Sequence, residues 1–347
     1  MFNVVASGDF LQADGSAAFP EFDMRRLQEH PRIRFRYLEP TPVVTPGQVE
    51  DAHALVLSGP RVCDDSFHTN GRLALIAQFG AGFDHIDVEA ATRNGVAVAN
   101  TPSGVRRPVA VAILTLMLAL TSKLLIKSRL VRQGQEGWAA VTRYNGVGLS
   151  GKVLGSVGLG NIGAEMFRLA KPLDMTFIAH DTRPSPTVAA ELGVELVDLD
   201  SLFRRADIVC INCPLTPQAR HLVDAERLSL MKSTAFLINT ARGGIVDQRA
   251  LTACLATGRI AGAGLDVFEE EPPDPSDPLF ALDNVVMTPH ALCWTDELYA
   301  GCGRAAVGAV LDVLHGRAPA HIVNGDVVLQ EAWCRKLARF AAAASAR

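Results

Sequence analysis

The stretch VLGSVGLGNIGAEMF, Val153 to Phe167, constrains the fold of this chain more than any other. A short strand-like run, Val153–Val157, is followed at once by Gly158-x-Gly160-x-x-Gly163 and then by a helix-forming segment. Each glycine has its own physical task. Gly158 allows a tight turn, Gly160 lets backbone approach a pyrophosphate, and Gly163 lets helix and strand pack closely. The helix opening there presents unpaired N–H groups to the phosphates, with Asn161 and Ile162 at its start. A second run, Thr176–Ala179, leads to Asp181, where an acid about 20 residues on suits ribose hydroxyls. Strand, glycine loop, helix, strand and acid together predict a dinucleotide-binding unit. The charge of Asp181 favours NAD over NADP, whose 2′-phosphate it repels; Arg183 offers the alternative grip on that phosphate.

The rest of the chain repeats the same alternation. Short apolar runs occur at Val4-Val5, Ile33–Tyr37, Ala54–Leu57, Leu73–Ala77 and Val96–Ala99. A second series comprises Val153–Val157, Thr176–Ala179, Ile208–Ile211, Ala235–Ile238, Ala263–Val267 and Val285–Met287. Helix-like stretches such as Phe22–Glu29 and Val88–Asn94 lie between. Alternation of this kind predicts parallel sheets covered by helices, an α/β protein. At 347 residues the chain is long for one core, so two domains are expected. The first is flavodoxin-like in pattern over residues 1–102, and the second is a Rossmann doubly wound sheet over 103–292. The Ala-rich end, Phe340 to Arg347, reads as a fraying helix or a disordered tail.

Other classes of function find little support. A net charge of -4 gives no field for nucleic acid or anionic lipid. The longest apolar run, Val109–Leu120, is too short to span a bilayer and reads as part of a buried helix, Val109–Lys127. The start, MFNVVASGDF, lacks the charged region of a secretion signal, and the odd number of cysteines, seven, fits a reducing cytoplasm. Cys210 and Cys213 have CxxC spacing but close an apolar strand, so they read as buried thiols rather than a metal or redox pair. No metal site is expected.

Three chemical groups stand at strand ends of the second series. Arg242 follows Ala235–Ile238 and precedes Gly243-Gly244; Asp266 and the acids Glu269, Glu270 and Glu271 follow the next run; His290 follows Val285–Met287. Ligands of open parallel sheets bind at such ends. A guanidinium there matches a carboxylate with two parallel hydrogen bonds, and the two glycines leave room above the crevice. An anionic substrate beside the cofactor is expected. In the first series GAGFDHID has Gly80 and Gly82, but His85 replaces a third glycine, so its N–H groups suit a smaller anion such as a carboxylate.

The stretches GAGFDHIDVEAATRNGVAVANTP, GLSGKVLGSVGLGNIG, CPLTPQARHLV, LINTARGGIVD, AGAGLDVFEEEPP and TPH, in this order, resemble the D-isomer-specific 2-hydroxyacid dehydrogenases. The resemblance covers about residues 50 to 325 and implies NAD-dependent hydride transfer between a 2-hydroxy acid and its 2-oxo acid. It implies that Arg242 binds the substrate carboxylate, that His290 is the acid in reduction and the base in oxidation, and that Glu271 pairs with His290. It further implies that Asp266 holds the nicotinamide carboxamide, that Thr240 and Ala241 line the nicotinamide, and that Cys213 and Pro214 flank the adenosine side. Ala81 and Gly82 match the loop whose amides cap the substrate carboxylate. The chain after residue 292, including a helix over Thr295–Gly316, is expected to return to the first domain, making it 1–102 with 293–347. A cytoplasmic homodimer is expected, with helices near Val109–Lys127 at the two-fold interface.

The chain departs from the family after NTP, where it reads SGVRRPVAVAILTL. Pro108 suits a first helical turn, and Arg106 and Arg107 then oppose the helix dipole unless an anion is near. Arg106 is read as meeting a second negative group on the substrate, against a salt bridge to the other domain or a subunit. Trp294 is read either as shaping the substrate pocket or as core. Formate dehydrogenases of the same superfamily lack the acid at Glu271, which argues against that activity. The second reading is a cofactor-sensing binding protein, as in corepressors with this fold, because such proteins can keep the same three residues.

Overall fold

A computed structural model describes residues 1–345 of the chain. They form two compact units, Met1–Val105 with 294–345, and Arg106–Cys293.

The first unit holds five parallel strands, β1 (Phe2–Ala6), β2 (Ile33–Tyr37), β3 (Ala54–Leu57), β4 (Leu75–Gln78) and β5 (Ala97–Ala99), in the order β2-β1-β3-β4-β5. This is the flavodoxin-like order. β3 and β4 are buried along their whole length, which is why they read as unbroken apolar runs rather than alternating ones. The expected helix over 22–29 shrinks to Arg25–Gln28. The helix Asp296–Leu314 packs on β4, capped by the Thr295 hydroxyl accepting from the Leu298 amide at 3.2 Å. The helix Glu331–Ser345 closes the described chain. The expectation for the tail is thus a helix as far as Ser345, and residues 346–347 lie outside the described residues.

The second unit is a seven-stranded parallel sheet of β6 (Val153–Val157), β7 (Thr176–His180), β8 (Val194–Leu196), β9 (Ile208–Ile211), β10 (Phe236–Asn239), β11 (Gly262–Leu265) and β12 (Val285–Met287). Their order is β12-β11-β10-β9-β6-β7-β8, the doubly wound arrangement. The strand order switches from one side of the sheet to the other between β6 and β9, which is where a cofactor crevice opens in such sheets. Successive residues of one strand feed opposite cores: Val209 and Leu237 pack with Phe203, while Cys210 and Ile238 pack with Phe167. β8 was not expected from the sequence. It is a three-residue edge strand, Val-Glu-Leu, with only its first residue buried.

The apolar helix differs from expectation in length and in place. It runs Pro102–Thr121, so Pro102 opens it and Pro108 lies inside. By length and composition it is long enough to cross a membrane, and 61% of that window is buried. Ala110, Ile113, Leu116 and Met117 point into the core beside Phe167. It also ends sooner than Lys127. Lys123 adopts φ 55°, a left-handed conformation that no helix continues through, and a new helix spans Leu124–Arg132.

Candidate active site

In the glycine loop between β6 and the helix Asn161–Ala170 each glycine has a different setting. Gly158 has φ 104°, and a Cβ there would lie 2.7 Å from the Asn212 carbonyl. A Cβ on Gly163 would lie 2.5 Å from the Gly158 carbonyl, so helix and strand pack without room for a side chain. A Cβ on Gly160 would meet nothing within 4 Å; its side faces open space. Gly160 also serves as N-cap without a side chain to fill the first turn, whose residues are Asn161 and Ile162. Such a cradle fits a pyrophosphate. Asp181 lies just past β7, its Oδ2 accepting from the Leu159 amide and its Oδ1 from the Arg183 amide, each at 2.8 Å. Two residues escaped the sequence reading. The buried Ser156 hydroxyl donates to the Gly158 carbonyl at 2.7 Å and accepts from Asn212 Nδ2 at 2.9 Å, bracing the turn. Cys213 and Pro214 follow the end of β9. Burial pushes the Cys213 thiol up to about 11 and the Cys210 thiol higher still.

Arg242 follows β10 in a turn shaped by a buried residue, Asn239. Its Nδ2 donates to the Arg242 carbonyl at 2.9 Å and its Oδ1 accepts from the Ala241 amide at 3.0 Å. Arg242 Nη1 donates to the Ala241 carbonyl at 2.7 Å. Gly243 does something other than hold the crevice open. A Cβ there would fall on the Phe268 carbonyl and the Glu269 amide, so the glycine admits the backbone of the segment leading to Glu271. A Cβ on Gly244 would lie 3.3 Å from Arg220 Nη1, tighter than an ordinary contact but against the far end of a flexible side chain. The Thr240 hydroxyl is buried with no partner among the described residues, an orphaned group that suits a ligand on this rim.

His290 Nδ1 stands 2.7 Å from Glu271 Oε2. Burial pushes the Glu271 carboxyl up. Hydrogen bonds from His290 and the Phe268 amide, with the charges of His290 and Arg242, outweigh it and hold the group below the usual carboxylate value. An ionised carboxylate only accepts, so Nδ1 carries the proton and Nε2 is left for chemistry. His290 has φ 54°, a conformation uncommon outside glycine, and its amide bonds the Thr288 carbonyl at 3.1 Å. Asp266, buried at the end of β11, accepts from the Thr288 hydroxyl at 2.6 Å and from the Ala291 and Leu292 amides at 3.1 and 3.2 Å. It therefore fixes the His290 loop. The acid run is not simply a solvated face, since Glu269 Oε1 lies 2.6 Å from His221 Nε2.

In the first unit the Gly80 amide donates to the Thr101 hydroxyl at 2.8 Å, and Asn100 Nδ2 to the Ala81 carbonyl at 2.8 Å. The amides of Ala81 and Gly82 have no partner among the described residues. His85 Nε2 lies 3.2 Å from Gln78 Oε1. Trp294 packs edge-on to Phe19, with ring centroids 5.7 Å apart.

Arg106 and Arg107 sit past the first turn of their helix, and the anion near them is Glu165. Arg107 Nη1 is 3.1 Å and Arg106 Nε 3.9 Å from its carboxylate, with Arg168 at 3.2 Å. Glu165 is almost fully buried, so sequence proximity gave no sign of this cluster.

Comparison with known proteins agrees with this geometry. The family model described as "D-isomer specific 2-hydroxyacid dehydrogenase, NAD binding domain" matches residues 114–291. The chain is 39% identical over 286 residues to a D-3-phosphoglycerate dehydrogenase of Methanocaldococcus jannaschii, covering 82% of this chain but 54% of that longer relative. It is 36% identical over 315 residues to a glyoxylate reductase of Korarchaeum cryptofilum, covering 89% of this chain and 94% of the relative. Among solved structures, a glyoxylate reductase from Paecilomyes thermophila superposes with a TM-score of 0.80 at 25% identity, covering 93% of this chain and 98% of that one.

Proposed function

This chain belongs to the D-isomer-specific 2-hydroxyacid dehydrogenase family, and on that footing we propose that it reduces a 2-oxo acid to the D-2-hydroxy acid, and catalyses the reverse oxidation, with NAD(H). The observation that carries the proposal is the 2.7 Å pair of His290 and Glu271 at strand ends of the sheet that also presents Arg242.

A nicotinamide held on this rim would supply the hydride to the carbonyl carbon in reduction and accept it from that carbon in oxidation. Arg242 holds the substrate carboxylate with two parallel hydrogen bonds and orients the carbonyl. Glu271 keeps the His290 proton on Nδ1, and a second proton on Nε2 is given to the carbonyl oxygen in reduction. In oxidation neutral Nε2 takes the hydroxyl proton back. Ala81 and Gly82 offer backbone amides to the carboxylate, and Arg106, the looser partner of Glu165, meets a second anionic group on dianionic substrates. Gly158, Gly160, Asn161, Ile162 and Gly163 receive the pyrophosphate, Asp181 the ribose, Cys213 and Pro214 the adenosine side, and Thr240, Ala241 and Asp266 the nicotinamide. The negative Asp181 supports NAD over NADP.

We further propose a cytoplasmic homodimer. Val111, Leu118, Leu125, Val131 and Trp138 lie exposed on successive helices, Pro102–Thr121, Leu124–Arg132 and Gly134–Ala140, and a symmetric partner covers such a surface.

The experiment is NADH consumption against a panel of mono- and dianionic 2-oxo acids. Turnover supports the enzyme. Tight NADH binding with no turnover of any member favours a cofactor sensor instead. A preference for dianions that Arg106→Ala removes supports the role given to Arg106.

A further inference from the structure

The first unit contains a second place built for a ligand, at the opposite ends of its strands. A cleft of about 740 Å³ opens at the amino ends of β1 to β4, and it is lined by Arg32, Arg34, His53, Arg72, Lys336 and Arg339. That volume lies in the range of small-molecule sites, about 300–1,000 Å³. Among the described residues no aspartate or glutamate lines it. Among the described residues none of Arg32, Arg34, Arg72 and Arg339 forms an ion pair with a carboxylate, although the chain as a whole carries net charge -4. The nearby acid Asp51 is hydrogen-bonded by Arg36 at 2.8 Å and Asn3 at 3.1 Å, and its charge also acts on Arg72 and His53 of the cleft without forming an ion pair there.

The cleft is a formed site rather than a loose rim. One face of the helix Glu331–Ser345 makes its wall, since Lys336, Arg339, Phe340 and Ala343 are spaced at helical intervals. Trp333 Nε1 ties that helix to the Ala74 carbonyl at 3.0 Å. Lys336 Nζ is spent on the same anchoring, donating to the Leu73, Asn94 and Gly95 carbonyls at 2.6, 3.1 and 2.7 Å. Phe2, His53 and Phe340 form an aromatic floor, with Phe2 stacked on His53 at 5.1 Å and Phe340 edge-on to both at 5.0 and 5.5 Å. The Asn3 amide donates to His53 Nδ1 at 2.9 Å, which leaves the neutral ring with its proton on Nε2.

Among the described residues Asp51, already bonded by Arg36, is the acid whose charge reaches this group of four guanidiniums, at Arg72; they outnumber it and repel one another, and a polyanion relieves those repulsions at once. Guanidiniums also match phosphate and carboxylate oxygens in pairs. We propose that this cleft binds a small polyanion carrying two or more phosphate or carboxylate groups, at a site separate from Arg242 and the glycine loop of the second unit. The assignment is independent of the reaction proposed above.

The test is calorimetric titration of inorganic pyrophosphate, and separately of citrate, into the full chain with NADH saturating the dinucleotide loop. At least one probe should bind with one equivalent to wild type and to Arg242→Ala alike. Arg34→Ala with Arg72→Ala should weaken it by about tenfold or more, the loss expected when charged hydrogen bonds are removed. Whichever probe binds tells phosphate from carboxylate. Arg339→Gln, on an exposed helix position, repeats the test should the double variant fail to fold. The proposal is overturned if neither probe binds, if the arginine variants bind as wild type does, or if Arg242→Ala abolishes the binding.

Discussion

His290 Nδ1 and Glu271 Oε2 are 2.7 Å apart although they lie on separate loops, one after β12 and one after β11. The contact orients the imidazole, which in the proposed reaction makes Nε2 the proton donor, and it balances a carboxylate that burial alone would leave protonated more readily. Replacing His290 by Gln is expected to lower kcat by about 10²–10⁴-fold, the usual worth of a positioned acid–base group. Glu271→Gln keeps the shape but releases the tautomer, and should lower kcat by a smaller factor with little change in KM. Steady-state kinetics on both variants checks this, and an unaltered kcat in Glu271→Gln removes the pair from the mechanism.

Asp181 is expected to set the cofactor preference. Its Asp181→Ser variant should bind NADPH at least about tenfold better relative to NADH, because a charge facing the 2′-phosphate is gone. The same variant loses the bond to the Leu159 amide, so affinity for both cofactors should fall somewhat. Fluorescence titration with each cofactor reads both effects. An unchanged ratio shifts the selectivity to Arg183.

Much of this was legible before any coordinates, and the reasons are physical. Ile208–Ile211 and Phe236–Asn239 are buried on both faces, so they show as solid apolar runs. The three glycines at 158, 160 and 163 and the acid at 181 announce the cofactor unit because each residue type answers a local backbone demand. What could not be read is nonlocal or marginal. Glu165 meets Arg107 from another helix, and Asn239 and Thr288 brace Arg242 and Asp266 through side-chain bonds that leave no spacing rule. β8 hides because an edge strand of three residues needs little apolar surface. The break at Lys123 hides because only Thr121 and Ser122 interrupt the good helix formers before and after it, Leu118–Leu120 and Leu124-Leu125.

Stability should depend on His53 in mildly acid solution. Burial first, and then the charge of Arg72, pushes this imidazole down to about 4 from an ordinary 6.5. The unfolded chain therefore binds the proton that the folded one refuses between those values, so stability rises with pH there. The contribution is whole above about pH 6.5 and is lost as pH falls toward about 4. Between these limits the melting temperature of wild type should drop by several degrees more than that of His53→Gln. Parallel slopes for the two proteins contradict the assignment.

The exposed apolar helices predict an oligomer. Light scattering at micromolar concentration should give twice the chain mass of 37.1 kDa. Leu125→Asp with Val131→Asp, both on exposed positions of the Leu124–Arg132 helix, should shift the population to monomer without loss of secondary structure. A monomeric wild type ends this part of the account.

The most direct measurement is the rate of NADH oxidation with a saturable 2-oxo acid, in wild type and in Arg242→Ala. Wild type should turn over. The variant should bind NADH normally yet lose about 10²-fold or more in kcat/KM, as expected when one member of a desolvated charge pair is removed. Equal kcat/KM in the two proteins would contradict the claim that Arg242 is the substrate's anchor on this rim.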